Sequence, residues 1–444
     1  MRRRALRGVF ALVVLLSVVQ LSVAATTSPT VKDRYENAGT QAVAPTANGT
    51  TVITTSPRKG TDASLIALGP DGRVEYYEER YRQYFDVDPV GNTSSTVEFV
   101  AKDTSVTCPT GTEPCADAVF VRVNISTGER EVFERFQAQL RADWHDFDRI
   151  DEQTVLIADI NNEIRIYNTR RDVTTWAYNF RADFKREDGG SFPKDWTHLN
   201  DVEWLGNGTI IASPRNLDQV VFIHKQRGLL ESRTLGSDGN YSRLFEQHNP
   251  DFIPAERGGP AVVVADSENN RVVEYERRDD GWVRTWSWSD ARMSWPRDAD
   301  RLPNGHTLVT DSNGGRILEL NRDGEIVWSV PVDTPYEAER LGTGDESSGG
   351  MAASRAGLAG TNSRVVDESS DADSSSAPLA SRVVIAIKSF LPSLVVNGLL
   401  FVLPGWMGSI ELLVLALLSG ILSLWAGTEA YWRGYRFRSP ISRT

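Results

Sequence analysis

The chain has 444 residues and a formal charge of −12, with seven Lys among its 48 basic residues. Such a balance excludes a nucleic-acid partner, which needs Lys and Arg clustered against phosphates. An acid-rich, Lys-poor surface fits either a protein living in concentrated salt or a genome biased toward Arg codons, and the length leaves room for about two or three domains.

Residues 1–25 set Arg2, Arg3, Arg4 and Arg7 before an apolar run. This is the pattern of a signal peptide cleaved near Ala24, or of an uncleaved anchor. In either case the basic end stays inside and the following domain is exported. N-x-S/T sequons at Asn48, Asn92, Asn124, Asn207 and Asn240 are compatible with that side of the membrane. Cys108 and Cys115, in "CPTGTEPC", are the two cysteines of the chain. Outside the cell they read as a disulfide closing a small loop, and a two-Cys metal site is disfavoured because no further ligands lie nearby. Neither a metal nor a cofactor is expected.

From 41 to 332 the sequence repeats. "RIDEQTVLIADINNEIRIYN" (149–168), "WLGNGTIIASPRNLDQVVFI" (204–223), "GGPAVVVADSENNRVVEYE" (258–276) and "RLPNGHTLVTDSNGGRILELN" (301–321) each alternate turns rich in Asn and Gly with β-branched strands. Closing strands such as "GEIVWSV" follow most of them. Asn-Gly and Gly-Gly turns permit the positive φ of tight hairpins. The period of about 50 residues suits four-stranded propeller blades. Residues 41–79 and 95–136 supply two more units, which predicts an all-β, six-bladed propeller. No unit carries a 3.6-residue apolar period, so helical solenoids are excluded.

Ahead of three successive units stands H-x-x-D: "HDFD" from His145, "HLND" from His198 and "HNPD" from His248, with "WPRD" from Trp295 in the next. Equivalent positions near the start of innermost strands line a propeller's central funnel, so three imidazoles are expected to converge. Arg215 stands where the other units have Ile160, Ser267 and Ser312; Ser312 is expected to tolerate Lys. A guanidinium beside three imidazoles suits a compact oxyanion. Two other readings compete: each His bonds its own blade, or the three His hold a metal that the Arg would repel. His224 and His306 read as structural, and Asp159, Asp266 and Asp311 as turn-forming residues.

Residues 333–381, with "GTGDESSGG" and "DESSDADSSSAP", read as a flexible linker. Across 382–428, two apolar stretches at about 383–403 and 406–427 predict one or two transmembrane helices. Lys388 and Pro392 weaken the first, which is expected to lie in the interface if the tail is cytoplasmic. Residues 429–444 carry Arg433, Arg436, Arg438 and Arg443 and read as a basic cytoplasmic tail, placing the protein at the cell membrane with its propeller outside.

The motifs "WHDFD", "HLNDVEW", Pro214-Arg215 and "EQHNPDF", with the closing "LPNGHTLVTDSNGGRILELNRDGEIVW", resemble the arylsulfate sulfotransferase family, in particular its membrane-anchored haloarchaeal type. These enzymes are six-bladed propellers that move a sulfuryl group without the nucleotide donor PAPS. The resemblance implies His248 as the residue that carries the sulfuryl group, with His145, His198 and Arg215 binding sulfate oxygens. It also implies a sulfate-ester donor and a hydroxyl acceptor, a phenol or a sugar of a surface or lipid-linked N-glycan, with membrane lipid as neighbour. The separate N-terminal β-domain of the periplasmic bacterial members is not evident. A non-catalytic propeller binding glycans or proteins, and a quinoprotein-like dehydrogenase, are the competing functions; the latter accounts for none of the three His.

Overall fold

The computed structural model describes residues 2–27, 30–57, 62–91, 93–108, 115–139, 144–159, 162–359, 393–404 and 406–434. Six antiparallel sheets form a propeller. In chain order their innermost strands are Gln83–Pro89 (blade 2), Phe147–Asp151 (blade 3), Leu199–Trp204 (blade 4), His248–Ile253 (blade 5), Pro296–Arg301 (blade 6) and Pro335–Arg340. The last of these lies beside Thr51–Thr55 in blade 1, so the two ends of the repeat region share one sheet. Closure of this kind leaves the disc no long free edge.

This strand corrects the boundary expected at 332. Pro335–Arg340 is buried throughout, and Ala352 and Ala353 belong to the core between blades 5 and 6. Composition misled here because the Gly- and Ser-rich stretch from 342 is tied down: Ser347 Oγ accepts from Arg301 N at 2.7 Å, and Ala353 N donates to Glu274 Oε1 at 2.8 Å. The rest of the expected linker, 360–381, lies outside the described residues, as do Asn92, 382–392 and 435–444.

The core is a set of layers, one between each pair of neighbouring blades. Strand neighbours point to opposite layers: Val52 packs toward blade 2 and Ile53 toward blade 6. A blade's second strand is therefore buried on both faces, which is why these strands read as continuous β-branched runs. Outer-strand Trp rings link successive blades, as Trp288 Nε1 donates to Gly324 O at 2.9 Å and Trp328 Nε1 to Pro45 O at 3.0 Å.

Cys108 and Cys115 are bonded to each other, beside the third strand of blade 2. Reducing this bond in the folded protein is expected to cost about 2–3 kcal/mol through loop closure. The cost reads out as a lower urea midpoint, and an unchanged midpoint would count against it.

Among the described residues, two helices, Arg3–Thr27 and Ile410–Trp432, are long and apolar enough to cross a membrane. They pack antiparallel: Phe10 lies 5.9 Å from Trp425, and Arg7 Nη2 donates to Glu429 Oε2 at 2.7 Å. Between propeller and last helix, the described residues include the helix Ser393–Val402, of 10 residues.

Candidate functional site: a histidine and arginine cluster at one end of the channel

Strand pairing shows how the three His come together. Leu199 lies opposite Pro214, so the blade 4 hairpin turns back and sets Arg215 beside His198. In blade 5, His248 lies opposite Ala265, one residue short of Asp266. In blade 6, Pro296 lies opposite Asp311. Matching Pro214, Asp266 and Asp311 makes Glu246, not His248, the counterpart of His198. Backbone conformation agrees: His198, Glu246, Trp295 and Thr334 have φ of 45°, 47°, 52° and 46°. The H-x-x-D repeat is thus not one structural position. His248 shares its layer with His145, Asn200, Arg297, Tyr336 and Phe85, while His198 stands two residues earlier, at the rim.

His248 is almost fully buried, and its Nδ1 lies 2.8 Å from Ser267 Oγ. Ser267 Oγ donates its single proton to the Pro296 carbonyl at 2.7 Å. A hydroxyl that has spent its proton can only accept, so His248 Nδ1 carries the hydrogen and Nε2 keeps its lone pair. Burial, then the charges of Arg215 and Arg297, hold His248 well below the usual imidazole range, so it stays neutral. His145 is shifted the same way, by burial first and then by His198, Arg297 and Arg215.

His145 Nδ1 lies 2.8 Å from Tyr336 Oη, and its ring centroid is 4.9 Å from that of His198. Burial pushes the Tyr336 phenol up, so it is a neutral donor. His198 bonds the exposed Asp195 carboxylate at 2.5 Å, a contact that holds Asp195 below its ordinary value. Arg215 lies 3.5 Å from Glu246 Oε2 and takes Asn216 Oδ1 at 3.2 Å. Arg297 is sandwiched at 4.7 Å from Trp295 and 4.5 Å from Tyr336, and its Nη1 donates to Ser56 Oγ at 3.1 Å. Two guanidiniums and three imidazoles therefore surround one end of the channel, a setting for a tetrahedral oxyanion.

A family model described as "Arylsulfotransferase (ASST)" matches residues 93–332. The chain belongs to the arylsulfotransferase family. It is a sulfotransferase, and that activity implies a sulfate donor and a hydroxyl acceptor. No curated protein matches it. Similar solved structures include a candidate 6-phosphogluconolactonase of Bacteroides fragilis, at 12% identity and TM-score 0.43 over 70% of this chain and 99% of that one. Another is the Pseudomonas aeruginosa periplasmic gluconolactonase PpgL, at 12% identity and TM-score 0.43 over 68% and 88%. A third is a catalytically inactive variant of the virginiamycin B lyase of Staphylococcus aureus with quinupristin, at 10% identity and TM-score 0.39 over 66% and 88%.

Sequence reasoning on this arylsulfotransferase misses Arg297, Tyr336, Ser267 and Asp195. Arg297 sits inside the "WPRD" motif that stood out for its missing His. Tyr336 and Ser267 carry no local signal, because their partners lie in other strands or blades, whereas Asp195 stands only three residues before His198. Of the residues read as structural, His306 Nδ1 bonds Glu319 Oε1 at 2.6 Å and His224 Nδ1 accepts from Gln226 N at 3.1 Å, both away from the cluster. Asp266 and Asp311 take Arg271 Nε at 2.6 Å and Arg316 Nε at 2.7 Å, closing their own hairpins.

Below the histidines the channel is acidic. The innermost strands carry Asp86 and Asp88, Asp146 and Asp148, Asp201 and Glu203, Asn249 and Asp251, Asp298 and Asp300, and Glu337 and Glu339. This Asp/Glu-x-Asp/Glu repeat is legible in the sequence once the blades are aligned, and forms two stacked rings. Several members tie adjacent blades, as Glu203 Oε2 accepts from Phe252 N at 2.9 Å and Asp148 Oδ2 from Trp204 N at 2.5 Å. Ser347 bonds Asp251, and Glu346 N donates to Glu339 Oε1 at 3.0 Å, so the 342–350 loop lies across the end opposite the histidines. Oxygens of Asp86, Asp88 and Glu337 lie within 4.8 Å of one another, as do those of Asp251, Asp298 and Asp300. Such all-oxygen sets suit a hard divalent cation.

Burial raises these carboxyls, Asp146 to about 7 and Asp148 and Asp298 to about 6. A carboxyl raised in the folded state stabilises fully below its unfolded value near 4, and that contribution is lost as pH rises through 6 to 7. In buffer with EDTA, the melting temperature is therefore expected to fall by at least about 5 °C between pH 5 and pH 8. A melting temperature that rises across this interval would contradict the account.

Proposed function

We propose that the protein transfers a sulfuryl group from a sulfate ester to a hydroxyl acceptor through a covalent sulfohistidine at His248. In the first half-reaction, His248 Nε2 attacks sulfur, the N–S bond forms and the ester S–O bond breaks. The leaving oxygen takes a proton from the His198–Asp195 pair. In the second, the acceptor oxygen forms a bond to sulfur as N–S breaks, and the acceptor proton returns to that pair. Arg215, Arg297 and His145 hold the peripheral sulfuryl oxygens, as cationic clamps do in phosphoryl transfer. The observation that carries this reading is the Ser267–Pro296 relay, which leaves His248 Nε2 with a free lone pair at the cationic end of the channel.

The acceptor we favour is a sugar hydroxyl of a cell-surface or lipid-linked N-glycan, because a tethered enzyme with sequons of its own works among surface glycans. The Arg-rich ends of both long helices support an extracytoplasmic propeller. Small phenols are the second reading, favoured by the family's description. Incubation with 35S-labelled 4-nitrophenyl sulfate tests the mechanism. Acid-labile label is expected on the peptide containing His248, discharged by added acceptor. Label elsewhere, or none during turnover, would refute it.

A further inference from the structure

Both apolar ends of the chain join the propeller on the histidine-bearing face. After Arg2–Thr27, the helix Val31–Tyr35 is capped by Thr30. It is pinned by Tyr35 Oη donating to Pro331 O at 2.6 Å and by Lys32 pairing with Glu79. Pro331 lies opposite Arg316, Arg316 opposite Asp311 and Asp311 opposite Pro296. Glu79 follows Glu78, which lies opposite Leu65; Leu65 pairs with Thr54, and Thr54 with Glu337. Both pins therefore stand level with the histidine ends of the innermost strands. From Thr27 to Val31 the chain can span at most about 14 Å.

The C-terminal side docks at the same rim by independent contacts. Asn397 is buried, its Oδ1 accepts from Ser294 Oγ at 2.9 Å, and its Nδ2 donates to Glu268 Oε2 at 3.1 Å. Ser294 adjoins Trp295, whose ring lies 5.5 Å from that of His248. Glu268 follows Ser267, which positions His248, and its carboxyl feels the charge of Arg215. The helix Ser393–Val402 lays Val396, Asn397 and Leu400 on the rim and leaves Leu394, Val395, Leu399 and Val402 exposed. Seven positions after Val402 begins the long apolar helix Ser409–Trp432.

We propose that the histidine-bearing face lies against the bilayer, with the exposed side of Ser393–Val402 in the headgroup boundary, so that the site takes a hydroxyl acceptor carried on a lipid. A helix whose exposed side is entirely apolar, joined by a short connection to a spanning helix, has the membrane boundary as its natural seat. The far end of the channel is covered by the 342–350 loop, so substrates enter from the membrane side. The substrate class rests on the sulfuryl-transfer reading; the orientation does not.

Full-length protein in phosphatidylcholine vesicles tests both parts. The native cysteines are paired, so Arg292→Cys, on the loop entering blade 6 at the histidine face, and Asp323→Cys, on the turn at the opposite face, each accept a thiol-reactive fluorophore. Doxyl-labelled lipid is expected to quench the label at 292 at least about threefold more than the label at 323. Equal quenching, or stronger quenching at 323, overturns the orientation. For the substrate class, 4-nitrophenyl sulfate serves as donor, with a dialkylglycerol glucoside in the vesicles or soluble methyl glucoside as acceptor. The native protein is expected to prefer the vesicle-borne glucoside by about tenfold or more. The double variant Val395→Asp/Leu399→Asp is expected to lose that preference while keeping turnover with soluble phenol within about twofold. No native preference, or parallel loss with both acceptors, overturns the lipid-borne acceptor. Failure of the native protein to turn over 4-nitrophenyl sulfate strikes the mechanism instead and leaves the quenching result standing.

Discussion

Replacing His248 with Ala is expected to lower kcat by about 10³-fold or more, the scale seen when a covalent nucleophile is removed. The fold should survive, because Ser267 keeps its bond to the Pro296 carbonyl when the imidazole is gone. One lost hydrogen bond and a small cavity cost about 1–3 kcal/mol. His145→Ala and His198→Ala should retain measurable turnover, since each removes a stabilising contact or a proton carrier rather than the attacking atom. Ser267→Ala is a graded companion. It frees the His248 tautomer without touching Nε2, so kcat should drop while the sulfohistidine remains trappable. Stopped-flow release of 4-nitrophenol separates these cases. A His248→Ala protein near native turnover beside a dead His145→Ala or His198→Ala protein would move the nucleophile to another ring.

Arg215→Lys is expected to lose about 1–3 kcal/mol of transition-state stabilisation, roughly 5- to 150-fold in kcat/KM. The geometry gives the reason. Because Leu199 pairs with Pro214, the guanidinium stands at the same end of the channel as His198, held by Asn216 and facing Glu246 at 3.5 Å. A planar fork can hold two sulfuryl oxygens together, whereas an ammonium offers one compact charge. Turnover equal to native at both saturating and limiting donor would remove Arg215 from the site. The repeat alignment suggests Ser312→Lys as a neutral control, and the structure rules that out. Ser312 is fully buried and donates to the Pro335 carbonyl at 2.6 Å, so a Lys there would break the wall between blades 6 and 1.

The six-bladed disc is legible in the sequence by itself. Its signals are local: Asn-Gly turns, β-branched strands and a regular period each lie within a few residues of one another. The terminal apolar helices are legible for the same reason, since length and hydropathy suffice. Tertiary structure alone decides where the disc closes, because "PYEAER" becomes an innermost strand only by pairing with Thr51–Thr55 at the other end of the repeats. It also decides the rank of the histidines. The H-x-x-D pattern counts residues along the chain, whereas strand register moves His198 to the rim and puts Arg297 and Tyr336 in the layer of His248 and His145. Tyr336 meets His145 across 191 residues of sequence. Contacts of that range depend on sheet register and ring closure, and no short stretch of chain encodes either.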